Sequence, residues 1–340
     1  MLRTRIASIL WYPVVFAVLL PVTFGVVYHQ PKPHRVPIAV VGSAAITAPV
    51  AVQLRRAGAG GFLFRQIGSP GTAVAAVRDR QIAAAYIPRP EPTVFVARAA
   101  APLRASYLQN VFTRIALNSG RPPPRWSDLV PLASGDSGTG LFFFEFPLMM
   151  IGVITAIVLL QLPTSGIGRR VLVVAVVGAI GAVASYLTAV GLDVLPGKPL
   201  LLAYAFALTQ VYGLLMVGAA ALLKQYFLPF SLTFALLLST PSSGGTVAPD
   251  LMPTLFHDLS YVLPLAQGVT ITRAIAYFHG AGIAQATLVT AAWAALAVAT
   301  VALAWRRQSP QPSGPNGDER ANRAVRVTRL PSAPMGDAAR

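Results

Sequence analysis

Residues 241–278 read PSSGGTVAPDLMPTLFHDLSYVLPLAQGVTITRAIAYF and lie between two apolar runs that resemble membrane spans. Pro241, Pro249, Pro253 and Pro264, with Pro229 just ahead, and the Gly244-Gly245 pair forbid one continuous helix. Proline removes a backbone donor and crowds the preceding turn, while glycine frees the backbone. Between these breaks Leu251, Leu255, Leu259 and Val262 recur at helical spacing, as do Val269, Ile271, Ile275 and Phe278. The spacing predicts two short helices, about Asp250 to Val262 and Leu265 to Phe278, the first capped by Asp250. Broken helices at bilayer depth need protein or a water-filled cavity around them. Such a hairpin is therefore either the working part of a transporter or an amphipathic loop resting on the bilayer surface, and spacing alone does not choose.

The surrounding chain is a membrane protein by composition: 340 residues, 55% hydrophobic and 11% charged, against roughly 25% charged in a soluble domain. With no cysteine, disulfides, iron–sulfur clusters and thiolate zinc sites are excluded. The net charge of +16 sits mostly outside the apolar runs, where anionic lipid or envelope polymer accounts for it without a nucleic-acid partner.

Ile6–Tyr28 carries no charge and is about 34 Å long as a helix, enough for a hydrocarbon core of roughly 30 Å. It reads as an uncleaved anchor bent at Pro13 and Pro21, with residues 1–5 cytoplasmic. Gln30–Gly140 alternates strand-like runs (Val36–Val41, Phe62–Phe64, Ile82–Ile87, Thr93–Arg98) with helix-like ones (Ala44–Arg56, Thr72–Asp79, Pro102–Leu117) and ends in a Pro/Ser/Gly-rich linker, 121–140. This predicts a small, independently folding extracytoplasmic α/β domain. Five further spans are expected at 141–162, 171–190, 199–223, 226–240 and 283–305, followed by a disordered basic tail, 306–340. The fold class is thus an α-helical integral membrane protein with six transmembrane helices and an α/β domain between the first and second. Arg3 and Arg5, Arg169 and Arg170, Lys224, and Arg306 and Arg307 mark alternate loops, which places both termini in the cytoplasm. In the third span Gly178, Gly181 and Ala182 offer a small-residue packing face.

Ser242-Ser243-Gly244-Gly245, Leu251-Met252-Pro253, Leu263-Pro264, Gly268-Val269, Arg273 and Tyr277-Phe278 together resemble the last extracytoplasmic hairpin of the phage-infection-protein (YhgE/Pip) family and of type-two ABC exporter membrane subunits. The strand Val36–Val41 and the stretch Asp79-Arg80 to Ile87-Pro88 are similar to that family's external domain, although Gly42-Ser43 replaces its usual Asn-x-Asp. The resemblance implies a plasma-membrane permease subunit, a homo- or heterodimer in the lipid bilayer, exporting a hydrophobic or cell-envelope compound. It also implies that ATP is held by a separately encoded ATPase subunit, with no cofactor in this chain. The alternative is a non-transporting envelope protein whose external domain binds a partner, polymer or phage.

No enzyme signature accompanies these features. Gly191–Pro199 (GLDVLPGKP) has the wrong spacing for a phosphate-binding loop and Pro199 where a magnesium-holding hydroxyl belongs. Ser242 or Ser243 with His257 and Asp258 lacks a nucleophile elbow, and His29, His34, His257 and His279 follow no metal-ligand spacing. Glu145, in Phe142-Phe143-Phe144-Glu145-Phe146-Pro147, is either an interfacial acid reaching for water or the partner of Arg273. The candidate outer gate comprises Glu145, Ser243, Gly244, Gly245, Pro253, Asp258, Pro264 and Arg273, with Glu145 or Asp258 expected to hold the Arg273 guanidinium.

Overall fold

The computed structural model describes residues 2–29, 31–57, 60–88, 91–118, 120, 122–162 and 166–308. The middle of the expected basic loop, 163–165, and the tail from 309 onward lie outside the described residues.

The chain is mostly helical and membrane-embedded. Five helical runs are long and apolar enough to cross a bilayer: Trp11–Tyr28, Gly140–Leu160, Ile167–Gly191, Pro199–Ser239 and Ala284–Arg307. The first lies in α1 (Leu2–Tyr28), which starts four residues before the expected span and continues through Pro13 and Pro21. Helices α5 (Gly140–Leu160), α6 (Ile167–Gly191), α7 (Pro199–Leu223) and α11 (Ala284–Gln308) form a bundle around α7. Small residues set its close approaches. A methyl on Gly178 would lie 2.7 Å from the Thr209 hydroxyl, and one on Gly152 would lie 2.7 Å from the Gly213 nitrogen, so α6 packs on the side chains of α7 and α5 on its backbone where only hydrogen fits.

The fourth and fifth expected spans form one apolar run, folded at Lys224, whose φ of 51° and ψ of −113° end α7. The chain then returns: Phe234 packs on Tyr212 of α7 with ring centroids 6.4 Å apart. The return is α8 (Phe227–Leu232) followed by a π-helical stretch, Thr233–Ser239. The Thr240 amide and hydroxyl both donate to the carbonyl five residues back, Ala235, at 3.0 and 2.8 Å, which widens the turn. From Phe227 to Ser239 is about 20 Å of helix, short of the roughly 30 Å hydrocarbon core, so this piece is not a full span by itself. Helix α1 stands at the edge of the bundle, where the Tyr12 hydroxyl donates to the Pro229 carbonyl at 2.9 Å. Trp11, Val14, Val18, Val22 and Val26 are exposed along it.

Between α1 and α5 lies a five-stranded sheet in the order β2-β1-β3-β4-β5. The strands are β1 (Val36–Val41), β2 (Phe62–Ile67), β3 (Ala84–Ile87), β4 (Thr93–Val96) and β5 (Arg125–Asp128). Strand β1 runs parallel to β2 and β3, β3 is antiparallel to β4, and β4 is parallel to β5. The fifth strand falls in the stretch read as a linker: RWSD carries no apolar alternation, and its ladder with Thr93–Val96 fixes it. Apolar β1 is covered on both faces, as an interior parallel strand requires. Val36 and Ile38 join one core with α2 (Ala44–Ala57) and α4 (Pro102–Asn118), while Ala39 and Val41 join another with α3 (Pro70–Arg78).

Neither core is closed by the domain's own residues. Val247, Ala248, Leu251, Met252 and Phe256 complete the first, together with Val27 of α1, and Phe278 completes the second. The expectation that residues 30–140 enclose their own apolar faces is corrected here: the helix-breaking segment of 241–278 is part of the domain's core. Backbone bonds reinforce the junction, with the Lys32 and His34 amides donating to the Leu251 and Asp250 carbonyls at 3.2 and 2.7 Å.

Candidate functional site

The hairpin starts where the π-helical stretch meets Pro241 and turns through Gly244, whose φ of +72° suits glycine. At Gly245 the backbone passes so close to α5 that an added methyl would sit 3.0 Å from Phe142 Cβ. The first expected helix, Asp250 to Val262, is shorter than predicted because Pro253 cannot lie inside it. Pro249–Leu251 is a single 3₁₀ turn, and α9 runs over Thr254–Ser260 with Pro253 just before it. Asp250 is not a helix cap; its carboxylate pairs with Arg104 of α4 at 2.7 Å. Helix α10 spans Pro264–Tyr277, with proline at the first helical position, where its missing N–H costs nothing.

Depth can be read from the partners of the α9–α10 turn. The Val262 carbonyl accepts a bond from the Trp293 indole at 2.6 Å, and Trp293 lies about 14 Å along α11 from Ala284. At the other end of α10, Lys198 at the start of α7 donates to the Ile275 carbonyl at 2.9 Å. Tyr277 donates to the Val194 carbonyl at 3.3 Å. The chain therefore descends through α9 to mid-bundle and climbs back through α10, whose residues 264–276 are buried except for half-buried Thr270.

Glu145 and Arg273 are both buried, at 0% and 5% exposure, and they do not meet. The Thr272 hydroxyl donates to Glu145 Oε1, whereas Arg273 Nη2 donates to the Gly244 carbonyl at 3.1 Å. Neighbouring helical residues point about 100° apart, so Thr272 and Arg273 face different neighbours of α10. Both expected partners of Arg273 are thereby corrected: Glu145 is held by a hydroxyl, and Asp258 is exposed on α9. The ion pairs among the described residues are Arg104–Asp250 and, on the surface, Arg125–Glu91. Nor is Glu145 an interfacial acid reaching water. Its Oε2 has no partner and faces Gly268, where an added Cβ would come within 2.7 Å. Around it the Tyr212 and Ser239 hydroxyls face each other, as do those of Tyr204 and Thr290, none meeting hydrogen-bond geometry.

Of the remaining gate candidates, Ser243 is 2% exposed and accepts from the Gly245 amide at 3.3 Å. Gly244, Gly245 and Pro264 are buried, and Pro253 is half-buried. His257 bonds the Pro249 carbonyl through Nδ1 at 2.9 Å, and no hydrogen bond among the described residues joins it to Ser242 or Ser243. The motif-like GLDVLPGKP forms the α6–α7 turn, where Asp193 accepts from the Gly135 amide at 3.0 Å through its carbonyl and from the Ser134 hydroxyl through its side chain. Sequence reasoning missed Thr272, Tyr204, Tyr212 and Gln267, the last donating to the Ser260 carbonyl at 2.6 Å. Their signal was polarity inside runs otherwise apolar. It also missed Arg80, which donates to the Ala281 carbonyl at 3.2 Å and lies over the Phe278 ring. Burial pulls that guanidinium down to about 10, with the like charge of Arg104 adding to the effect; it remains charged at neutral pH.

No protein-family profile matches this chain, and no curated protein or solved structure is significantly similar to it.

Proposed function

We propose that this chain is the membrane subunit of an exporter of the type-two ABC kind, moving a hydrophobic or envelope-derived compound as a dimer, with ATP on a separate subunit. The observation that carries this reading is the α9–α10 hairpin, a broken helix pair whose tip reaches mid-bundle and whose mostly apolar buried face includes Gln267, Thr272 and Arg273. Non-helical backbone at that depth, and ionisable groups buried within the bundle, are costly and characterise substrate pathways. Glu145, Thr272 and Arg273 are the groups that a moving hairpin would re-pair. In this reading the return from Lys224 and the hairpin together complete a sixth crossing, the sheet domain is extracytoplasmic, and the basic loops face the cytoplasm. Because the hairpin also completes the cores of the sheet domain, a rearrangement of either is felt by the other.

The deciding experiment is affinity purification of the full chain from native membranes in mild detergent. Co-purification of an ATPase whose hydrolysis rate falls on Thr272→Val is the expected outcome. Recovery of the chain with envelope proteins and no ATPase favours the alternative, an envelope receptor. That second reading draws on a groove of the sheet domain of about 280 Å³, lined by Ile46, Pro49, Tyr86 and Phe112.

A further inference from the structure

Arg273 carries a buried charge that no acidic side chain meets within hydrogen-bond distance. Its Nη2 donates to a neutral carbonyl, and its Nε has no partner. The charged groups in electrostatic range are Arg80 and Arg104, of the same sign, and Asp136. Arg104 is already paired with Asp250, and Asp136 Oδ1 is taken by the Gly138 and Gly140 amides at 2.7 and 2.8 Å. Burying a cation in this way is unfavourable unless something answers it.

The guanidinium lines a cavity of about 130 Å³. Liquid water occupies about 30 Å³ per molecule, so the space admits a few waters or one small oxyanion. Ser243, Gln267 and Thr270 share its wall, no acidic side chain lines it, and exposed Tyr261 and Gln285 stand where it opens. A planar guanidinium with an unpartnered Nε, beside a hydroxyl and in a wall without carboxylates, matches the geometry of a phosphate group. We infer that this cavity is an anion site, taking a phosphate-type oxyanion through Arg273, carried either on a lipid headgroup or on a soluble molecule. The inference concerns binding alone and stands whether or not the hairpin gates transport.

The test uses the full chain, delipidated in neutral detergent, and follows thermal unfolding. One arm titrates inorganic phosphate against sodium chloride at matched ionic strength; the other titrates phosphatidylglycerol against phosphatidylcholine in mixed micelles. Saturable stabilisation by phosphatidylglycerol alone identifies a headgroup, and stabilisation by phosphate as well identifies a soluble anion as sufficient. Arg273→Gln should weaken binding at least tenfold. Gln285→Glu, which puts a negative charge at the opening without touching Arg273, should do the same while leaving the ligand-free melting temperature unchanged, so it decides the matter if Arg273→Gln does not fold. The inference is overturned if neither probe stabilises the wild type beyond its control, or if the folded variants bind as the wild type does.

Discussion

Gly268→Ala probes the Glu145 site most sharply, because two opposing effects can be sized from the structure. In a helix interior alanine is favoured over glycine by about 1 kcal/mol. Here, however, the new methyl would lie 2.7 Å from Glu145 Oε2 and 3.3 Å from Leu208 Cδ2. Overpacking of that kind costs about 1–3 kcal/mol. Displacing the carboxyl from the Thr272 hydroxyl forfeits about 1 kcal/mol more. The net expectation is a loss of about 1–3 kcal/mol, measured by unfolding the purified protein in mixed micelles of neutral detergent and dodecyl sulfate. In a Glu145→Ala background the obstruction is gone, so the same change should become neutral or stabilising by up to about 1 kcal/mol. The coupling between the two sites should therefore be at least about 1 kcal/mol. If Gly268→Ala stabilises the otherwise unaltered protein, or if its effect is the same in both backgrounds, the carboxyl does not occupy the space beside Gly268 and the placement of Glu145 is wrong.

Leu251→Ala, at a side chain with 0% exposure in the core shared by hairpin and sheet domain, should cost about 2–5 kcal/mol; an unchanged melting temperature would mean that the hairpin does not complete that core. For the same reason a fragment of residues 31–139 should bind a hydrophobic dye and self-associate, and a monomeric, dye-silent fragment would show that the domain closes by itself. The Arg104–Asp250 pair, with side chains 19% and 16% exposed, lies between a surface and a buried ion pair, and a double-mutant cycle should return about 1–2 kcal/mol, against none if the two are independent. In this cysteine-free chain an impermeant maleimide applied to intact cells should label Ala75→Cys on α3 and not Leu162→Cys at the end of α5; the reverse pattern would invert the proposed orientation.

Much of the architecture follows from composition and periodicity alone. Long, predominantly apolar runs such as Leu141–Leu162 and Ile283–Trp305 must be helical in a bilayer, because their backbone groups have no other partners there. The both-face burial of β1 is likewise written in VPIAVV, and the fragmentation of 241–278 in its prolines. The sequence also narrowed the site to a few polar groups in apolar surroundings, Glu145 and Arg273 among them. What it could not supply was the pairing. Whether Arg273 meets Glu145 depends on the rotation of α10 about its axis, and one residue of helical phase gives Thr272 to the carboxyl and Arg273 to Gly244 and the cavity. Strand β5 was invisible because its edge position is fixed by the ladder with β4 rather than by its own residues. The shared cores, with Leu251 and Phe278 set against strands about two hundred residues earlier in the chain, arise only when chain-distant apolar faces are brought together. Local pattern fixes which residues leave water; tertiary packing alone decides which of them meet.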